Sequence, residues 1–494
     1  MHVVVVGAGS VGLTAVKWCL ERGLEVTAFD RNDGCGGVWR QKAPPTHSPA
    51  YDSLFTNSSA KLMNLSDFAF PFKTSTAFPK HGEILRYFTA YMEHFGLEKW
   101  IHWNHTVSGI RKDEASGKWL VHTSHSEVGE EQDWEFDAVL VCTGKLWDPQ
   151  LPDWVPQAKA VGIDVVHSKE YRNPAPYRGK RVVVVGVGNS ALDIALELSL
   201  HDDVEVCISC RRGTTVIPTQ DSGGNPVDVK LGSRWFQNML PQKLRMLYIL
   251  SLVQSVNAEF RRAGLPEPPT GLFGPQSPTS NLKQSQAFLR QLRKGRIKFV
   301  AGCAGVNAEG SVTLLDGSTV PADAVICCTG YRLRLDHLLH QDLSDDIMQQ
   351  SSWDKDLSRS VSWLRLFKHI MYPRDPSLMF LGFITSFGNE TCIGEMQARW
   401  ATAVLAGLIP TPRPEVVQAD LDTLEQFLAR TKPSVSGFVR YVKYMDSLSE
   451  ELGCKPYLGA LVDPCAPLAS AQLVGKVYFG PLTPAQFRLT GLDA

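Results

Sequence analysis

The residues best suited to chemistry in this 494-residue chain sit in a glycine-rich turn near its start, Gly7-Ala8-Gly9-Ser10-Val11-Gly12. The turn directly follows an all-valine run at 3–6 and precedes a helical stretch at 13–22. Gly7 permits a tight turn, Gly9 lets the backbone approach a pyrophosphate, and Gly12 lets the helix pack closely on its strand. The helix start then supplies oriented N–H groups to the phosphates. The strand at 24–29 ends on Asp30, about twenty residues past the turn, where a carboxylate can accept hydrogen bonds from a ribose diol. Together these features predict a dinucleotide site.

The same arrangement occurs again further along. Val182, Val183, Val184 and Val185 lead into Gly186-Val187-Gly188-Asn189-Ser190-Ala191, a helix continues over 192–200, and a strand follows at 204–209. Laid over the first copy, with one extra residue in the helix-to-strand turn, Asp30 falls on Cys210, and Arg211 and Arg212 come next. Losing the acid and gaining two guanidinium groups replaces a diol acceptor by a phosphate clamp. That exchange selects NADPH over NADH.

These groups need a scaffold, and its outline is legible too. The two valine runs read as strands buried on both faces, as parallel sheets require. Two further segments, from Phe136 to Gly144 and from Ala322 to Tyr331, share an apolar strand followed by Thr-Gly: Thr143-Gly144 in one, Thr329-Gly330 in the other. Each closes the stretch that one glycine turn opens, so the two units are expected to be nested. The predicted fold is α/β, with two Rossmann-like dinucleotide-binding domains, one inserted into the other. Residues 1–150 and 325–494 would form the outer domain and 151–324 the inner one. Within the inner domain, 220–282 is expected to be an irregular insertion, carrying a mostly buried or interfacial helix at 239–256.

Composition sets the wider bounds. A chain this long needs two or three cores. Apolar residues make up 44% and charged residues 20%, with a net charge of -1, so there is no electrostatic case for a nucleic-acid partner. Eleven irregularly spaced cysteines do not resemble a secreted disulfide framework and point to a reducing setting. Cys207 and Cys210 form a C-x-x-C, but on an alternating strand the two thiols face opposite ways. That argues against a redox or metal-binding pair, and no metal is expected. No apolar run reaches the roughly 18 residues of a spanning helix, and the start lacks a signal-peptide core. A soluble, cytoplasmic or otherwise intracellular protein is expected. Peripheral membrane contact and a homodimer are left open.

Several motifs, in order along residues 3 to about 491, carry a family resemblance. The run from Phe29 to Arg40, with Gly36-Gly37-Val38-Trp39, and the block Thr56-Asn57-Ser58-Ser59 followed by Phe68-Ala69-Phe70-Pro71 resemble segments of the animal-type flavin-containing monooxygenases. So do Gly186-x-Gly188-Asn189-Ser190-Ala191-x-Asp193, Ser209-Cys210-Arg211-Arg212-Gly213, Cys328-Thr329-Gly330-Tyr331, the stretch from Glu395 to Trp400, and that from Phe479 to Leu489. The family's fingerprint F-x-G-x-x-x-H-x-x-x-Y/F is blurred here: His167 and Tyr171 match, but Val161 and Ile163 replace Phe and Gly. Tyr171 stands where Baeyer–Villiger relatives more often carry Trp. The hydrophobic C-terminal anchor of membrane-bound members is missing, and Ala60 takes the place of a common lysine.

The resemblance implies FAD in the outer domain and NADPH in the inner one. FAD contacts would be Gly7, Ala8, Gly9, Ser10, Val11, Gly12, Asp30, Val38, Trp39, Thr56, Ser58, Val107, Thr143 and Gly144. NADPH contacts would be Gly186, Gly188, Asn189, Ser190, Ala191, Asp193, Arg211 and Arg212. Gln397 would open a C-terminal segment that aims backbone donors at the flavin. Asn57 is the implied catalytic residue, hydrogen-bonding near the flavin C4a and the retained NADP⁺. A carboxamide both donates and accepts without leaking a proton, although asparagine before two serines can also cap a loop. His167 reads as a hydrogen-bonding hinge residue. The implied reaction consumes NADPH and O2 through a C4a-(hydro)peroxyflavin, which survives only where water is excluded. Its acceptors would be soft nitrogen or sulfur atoms of small molecules such as amines and sulfides. Baeyer–Villiger oxygenation of ketones is the alternative, with an NADPH oxidase or disulfide reductase further behind.

Overall fold

The computed structural model describes residues 1–494 except 42–47, 270, 272–278, 352–360, 387, 433–436, 463–464 and 490–494. Two five-stranded parallel sheets organise it. In the first, the strands run in the order Leu378–Phe380, Ala138–Val141, His2–Val6, Glu25–Phe29 and Ile101–His102. The central valines Val3, Val4 and Val5 have no exposed surface, which is why that strand is apolar throughout and does not alternate. Helix Ser10–Glu21 covers one face and is itself crossed by helix Glu390–Leu405. The crossing is close, since a Cβ at Gly394 would lie 2.4 Å from Val11 Cγ2. On the other face lies an antiparallel sheet of His105–Lys112, Trp119–His125 and Glu131–Phe136, which shares one apolar cluster with Val4, Val6 and Phe29.

The second sheet repeats this plan with strands Ile297–Val300, Glu205–Ser209, Arg181–Val185, Ala324–Cys327 and Asp164–His167. Its helix is Asn189–Ser199, and its antiparallel layer is Cys303–Val306, Ser311–Leu314 and Thr319–Pro321. The closing strands pair in equivalent register, Val3 with Ala138 in one unit and Val182 with Ala324 in the other. All residues of the second sheet fall between Ala138–Val141 and Leu378–Phe380 of the first. The inner unit is therefore inserted into the outer.

The expected division at 324/325 cuts a strand that belongs wholly to the second sheet. The crossing lies a few residues later, where Asp148–Pro149 on the way in pairs antiparallel with Tyr331–Arg332 on the way out. Gln150 N–H donates to Gly330 O at 2.9 Å. His167, fully buried, braces the same point: its Nε2 lies 3.0 Å from Gly330 O, and its Nδ1 lies 3.1 Å from Lys169 N. Because Lys169 N–H can only donate, Nδ1 is the acceptor and the proton sits on Nε2. The hinge role is consistent with this.

The insertion is more regular than its composition suggests. Strand Thr279–Leu282 pairs in parallel with Thr215–Pro218, and Gln242–Arg262 is a 21-residue helix. That helix is not mostly buried: Val253, Val256 and Phe260 are covered, but Leu244 and Leu247 are exposed. Asn257 fixes the buried half to the neighbouring strand, accepting from Val216 N at 2.9 Å and donating to Val216 O at 2.8 Å.

Burial pushes the His167 imidazole down to about 4, below the ordinary value of about 6.5 it regains on unfolding. The native state therefore favours the neutral ring. This contribution is complete above about pH 6.5 and is lost as pH falls through about 4, amounting to roughly 3 kcal/mol at the acid end. Thermal unfolding followed from pH 7 to pH 4.5 should show a steeper loss of Tm for the wild type than for His167→Asn.

Candidate active site

Both glycine turns are shaped by contacts that exclude a side chain. Gly7 has φ +100°, and a Cβ there would stand 2.8 Å from Cys142 O of the closing strand. A Cβ on Gly12 would meet Gly7 O at 1.8 Å. Gly37 (φ +54°) backs directly onto the turn, where its Cβ would come within 3.1 Å of Gly9 Cα. Helix Ser10–Glu21 starts at Gly9 with no side-chain cap and no acidic residue in its first turn. Its leading N–H groups keep their donors and positive dipole end for a ligand, which fits a pyrophosphate.

Asp30 does more than wait for a ribose. It is buried, accepting from Ala8 N at 2.6 Å through Oδ2 and from Asn32 N at 2.8 Å through Oδ1. Burial raises its pKa, and those hydrogen bonds oppose the rise. The Ala8 N–H is thus committed to Asp30, which ties the turn to the end of the second strand. A carboxylate has about four acceptor directions, so capacity for a diol remains. Ser10 and Val11 turn their side chains toward the C-terminal helix: Val11 packs against Gly382 and Gly394, and Ser10 Oγ lies 3.5 Å from Thr391 Oγ1. Their N–H groups are what they offer a phosphate. Val38 and Trp39 form the short turn Gly37–Trp39, with Ser48 Oγ donating to Val38 O at 2.5 Å and Trp39 packed on the first core.

Thr143 and Gly144 (φ +73°) leave the closing strand directly beneath Gly7. Val107 can offer a cofactor its main chain alone. Its side chain lies inside the apolar cluster with Phe29 and Trp119, so only its backbone, beside the register shift between Val107 and Gly109, can meet a cofactor. Gln397 is a correction as to where its segment begins. It opens no segment, being one turn and more inside helix Glu390–Leu405 and fully buried. There it accepts from Gly382 N at 2.8 Å and donates to Tyr444 OH at 2.8 Å. The start of that helix is capped instead by Asn389, which accepts from Cys392 N.

The Asn57 loop separates fixed from unengaged groups. Thr56 is buried, with Oγ1 donating to Ser58 O at 2.7 Å and N–H to Pro79 O at 2.9 Å. Ser59 is buried too, and its N–H donates to Asp228 Oδ2 at 2.6 Å. Between them Asn57 is exposed, and its carboxamide makes no hydrogen bond among the described residues. The loop-capping role is therefore absent.

At the second turn, Gly186 has φ +115° and its Cβ would sit 2.5 Å from Cys328 O, repeating Gly7. Nothing lies within 4 Å of a Cβ at Gly188, which starts helix Asn189–Ser199 without a side-chain cap. Cys210 is buried, whereas Arg211 is exposed, lies with its stem on Gly302, and has no ion-pair partner among the described residues. Arg212 is partly covered, Ser190 lies in the first helical turn, and Ala191 is core. The side chains of Asn189 and Asp193 meet protein groups: Asn189 Oδ1 accepts from Asn281 N at 2.7 Å. Asp193 Oδ2 accepts from Tyr51 OH and Lys283 Nζ, each at 2.6 Å. Both side chains are engaged by protein.

Lys283 and Asp228 were not foreseen, because a lone lysine or aspartate in an aperiodic stretch gives no pattern. Lys145 is another. It is partly buried, donates to Thr385 Oγ1 at 2.7 Å, and is lowered in pKa by burial.

Two nested Rossmann-like units with uncapped helix starts have the architecture of the two-dinucleotide class. The chain belongs to the flavin-binding monooxygenase-like family, whose model matches residues 1–493. It is 33% identical over 508 residues to flavin-containing monooxygenase 5 of Rattus norvegicus, covering 99% of this chain and 89% of that one. It is 32% identical to dimethylaniline monooxygenase [N-oxide-forming] 2 of Mus musculus, over 99% and 88% of the two chains. Among solved structures, S-allyl-L-cysteine S-oxygenase from Allium sativum superposes with a TM-score of 0.64 at 22% identity, covering 100% of this chain and 95% of that one. Cyclohexanone monooxygenase from Rhodococcus sp. Phi1 bound to NADP+ gives 0.65 at 18% identity, over 92% and 97%. The protein is a flavin-dependent NADPH monooxygenase using FAD and NADPH. No helix among the described residues is long and apolar enough to cross a membrane.

Gly12→Ala should yield protein purified without bound FAD, seen as loss of the flavin absorbance band. Arg211→Ala should raise KM for NADPH by roughly tenfold or more, the scale of one charge-assisted hydrogen bond, and leave KM for NADH unchanged.

Proposed function

We propose that the protein uses NADPH and O2 to oxygenate soft nucleophilic nitrogen or sulfur atoms of small molecules, with Asn57 at the reacting end. The observation that carries this reading is the Asn57 carboxamide, exposed and unengaged between two neighbours that are pinned. Bound FAD, reduced by NADPH, supplies the activation of O2. The chain binds and orients the two nucleotides. The turns Gly7–Gly12 and Gly186–Ala191 with their helix starts would hold the pyrophosphates, Asp30 the ribose diol, and Arg211 the 2′-phosphate. Asn57 can donate and accept at once without a transferable proton, as a group must that holds polar atoms while protons are kept out. The outer FAD domain and inner NADPH domain would meet at the ribbon of Asp148–Pro149 and Tyr331–Arg332.

The names of two relatives, an N-oxide-forming dimethylaniline monooxygenase in mouse and an S-allyl-L-cysteine S-oxygenase in Allium sativum, support nitrogen and sulfur as the atoms to try. With a tertiary amine, a thioether and a cyclic ketone supplied in turn, N-oxide and sulfoxide should form while the ketone is recovered. Ester as the main product would overturn the reading in favour of Baeyer–Villiger chemistry. Asn57→Ala should still oxidise NADPH but give roughly tenfold less product per NADPH, the difference appearing as hydrogen peroxide.

A further inference from the structure

Asn57 belongs by sequence to the outer unit, yet side chains of the inner unit grip its loop on both sides. Two residues before it, Phe55 O accepts from Lys283 Nζ at 2.6 Å. Two residues after it, Ser59 N–H donates to Asp228 Oδ2 at 2.6 Å. Lys283 and Asp193 are 7% and 15% exposed, so their pair is shielded from salt and water and its geometry is held more firmly than a surface pair. Asp228 is half-buried, and that burial raises its pKa. The loop also touches its own unit, through Thr56 N to Pro79 O, Ala60 N to Ala77 O and His81 N to Leu54 O. Those contacts are all backbone.

The grip continues into the second glycine turn. Asp193, which binds Lys283, is one turn into helix Asn189–Ser199. The segment that carries Lys283 touches the turn itself, with Ser280 Oγ donating to Val187 O at 2.6 Å and Asn281 N–H to Asn189 Oδ1 at 2.7 Å. The segment 280–283 therefore links the turn, held through Ser280 and Asn281, to the carbonyl two residues before Asn57, held through Lys283.

We infer that Lys283 and Asp228 are positioning residues that make the placement of Asn57 depend on nucleotide at the second glycine turn. Ordering of the turn by a dinucleotide phosphate stiffens the segment 280–283 and, through Lys283, the Asn57 loop. Asp228 holds the far side as a fixed post. This inference rests on the proposed role of Asn57 only for its consequence in turnover; the coupling of turn to loop stands apart from it.

The test is hydrogen–deuterium exchange of the FAD-loaded enzyme with and without NADP⁺, following peptides across residues 52–60, alongside product formed per NADPH. In the wild type NADP⁺ should slow exchange in these peptides. Lys283→Met should abolish that protection and lower product per NADPH several-fold while FAD content is kept. Asp228→Asn, which retains an acceptor for Ser59 N–H, should behave like the wild type, and Asp228→Ala like Lys283→Met. Should Lys283→Met fail to fold, Tyr51→Phe, which removes one hydroxyl from Asp193, should weaken the protection in the same direction. Protection of residues 52–60 by NADP⁺ that is undiminished in the Lys283 or Tyr51 variant overturns the inference. If Lys283→Met loses protection but Asn57→Ala still couples fully, the link holds and the assigned role of Asn57 fails.

Discussion

Both nucleotide units depend on one close approach, in which the first glycine of each turn lies against a carbonyl of its closing strand. Gly7 passes Cys142 O and Gly186 passes Cys328 O at distances that no Cβ could occupy. This contact brings three things to one sheet edge: the helix start, the end of the strand that carries Asp30 or Cys210, and the Thr-Gly exit of the chain. A side chain at either glycine would push the helix off its strand and scatter the donors. The phosphate site thus follows from a backbone constraint before any polar side chain is considered.

That origin explains what was legible in the sequence. Valine runs, glycine spacing and the two Thr-Gly exits are local patterns with a fixed geometric meaning, and they led to the sheets, the nesting and the turns. Side-chain partners across the domain boundary have no such local sign. Asp193 stands at a position one turn into a nucleotide-binding helix and was expected to face the cofactor, but it meets Tyr51 and Lys283 from distant stretches. Gln397 lies in a stretch that resembles the family, yet the helix begins seven residues earlier, at Glu390. Val107 alternates correctly along its strand, but the apolar cluster beneath the sheet claims its side chain. The insertion failed for a different reason: its prolines and glycines mark the ends of elements, and the 21-residue helix between them is only half covered, which weakens its pattern.

Charge is used in the interior to fix relative position. Lys17, 2% exposed, lies between Glu21 and Asp67 and over the Trp18 ring. Arg234, 4% exposed, ties the insertion to helix Tyr441–Glu451 through Asp446 at 2.9 Å. Such pairs add little net stability when compared with apolar packing, but removing one partner leaves the other buried and unpaired. They therefore define one arrangement of the elements against near alternatives. The Asp193–Lys283 pair does the same within the inner unit, and its two members reach the outer unit at Tyr51 and at Phe55 O.

The ribbon of Asp148–Pro149 and Tyr331–Arg332 has a consequence for how such a chain could arise. Because the two crossing strands are paired, the points where the outer fold is interrupted lie side by side. From the standpoint of the outer fold, the entire inner unit is a loop whose ends are already together. The entropy of closing a loop grows only with the logarithm of its length, and here the inner unit's own core holds the ends in place. Insertion at this point leaves the outer sheet with Leu378–Phe380 beside Ala138–Val141, the neighbours those strands would have around a short turn. A whole nucleotide-binding fold can thus be gained at one hairpin without reordering the strands of the outer sheet.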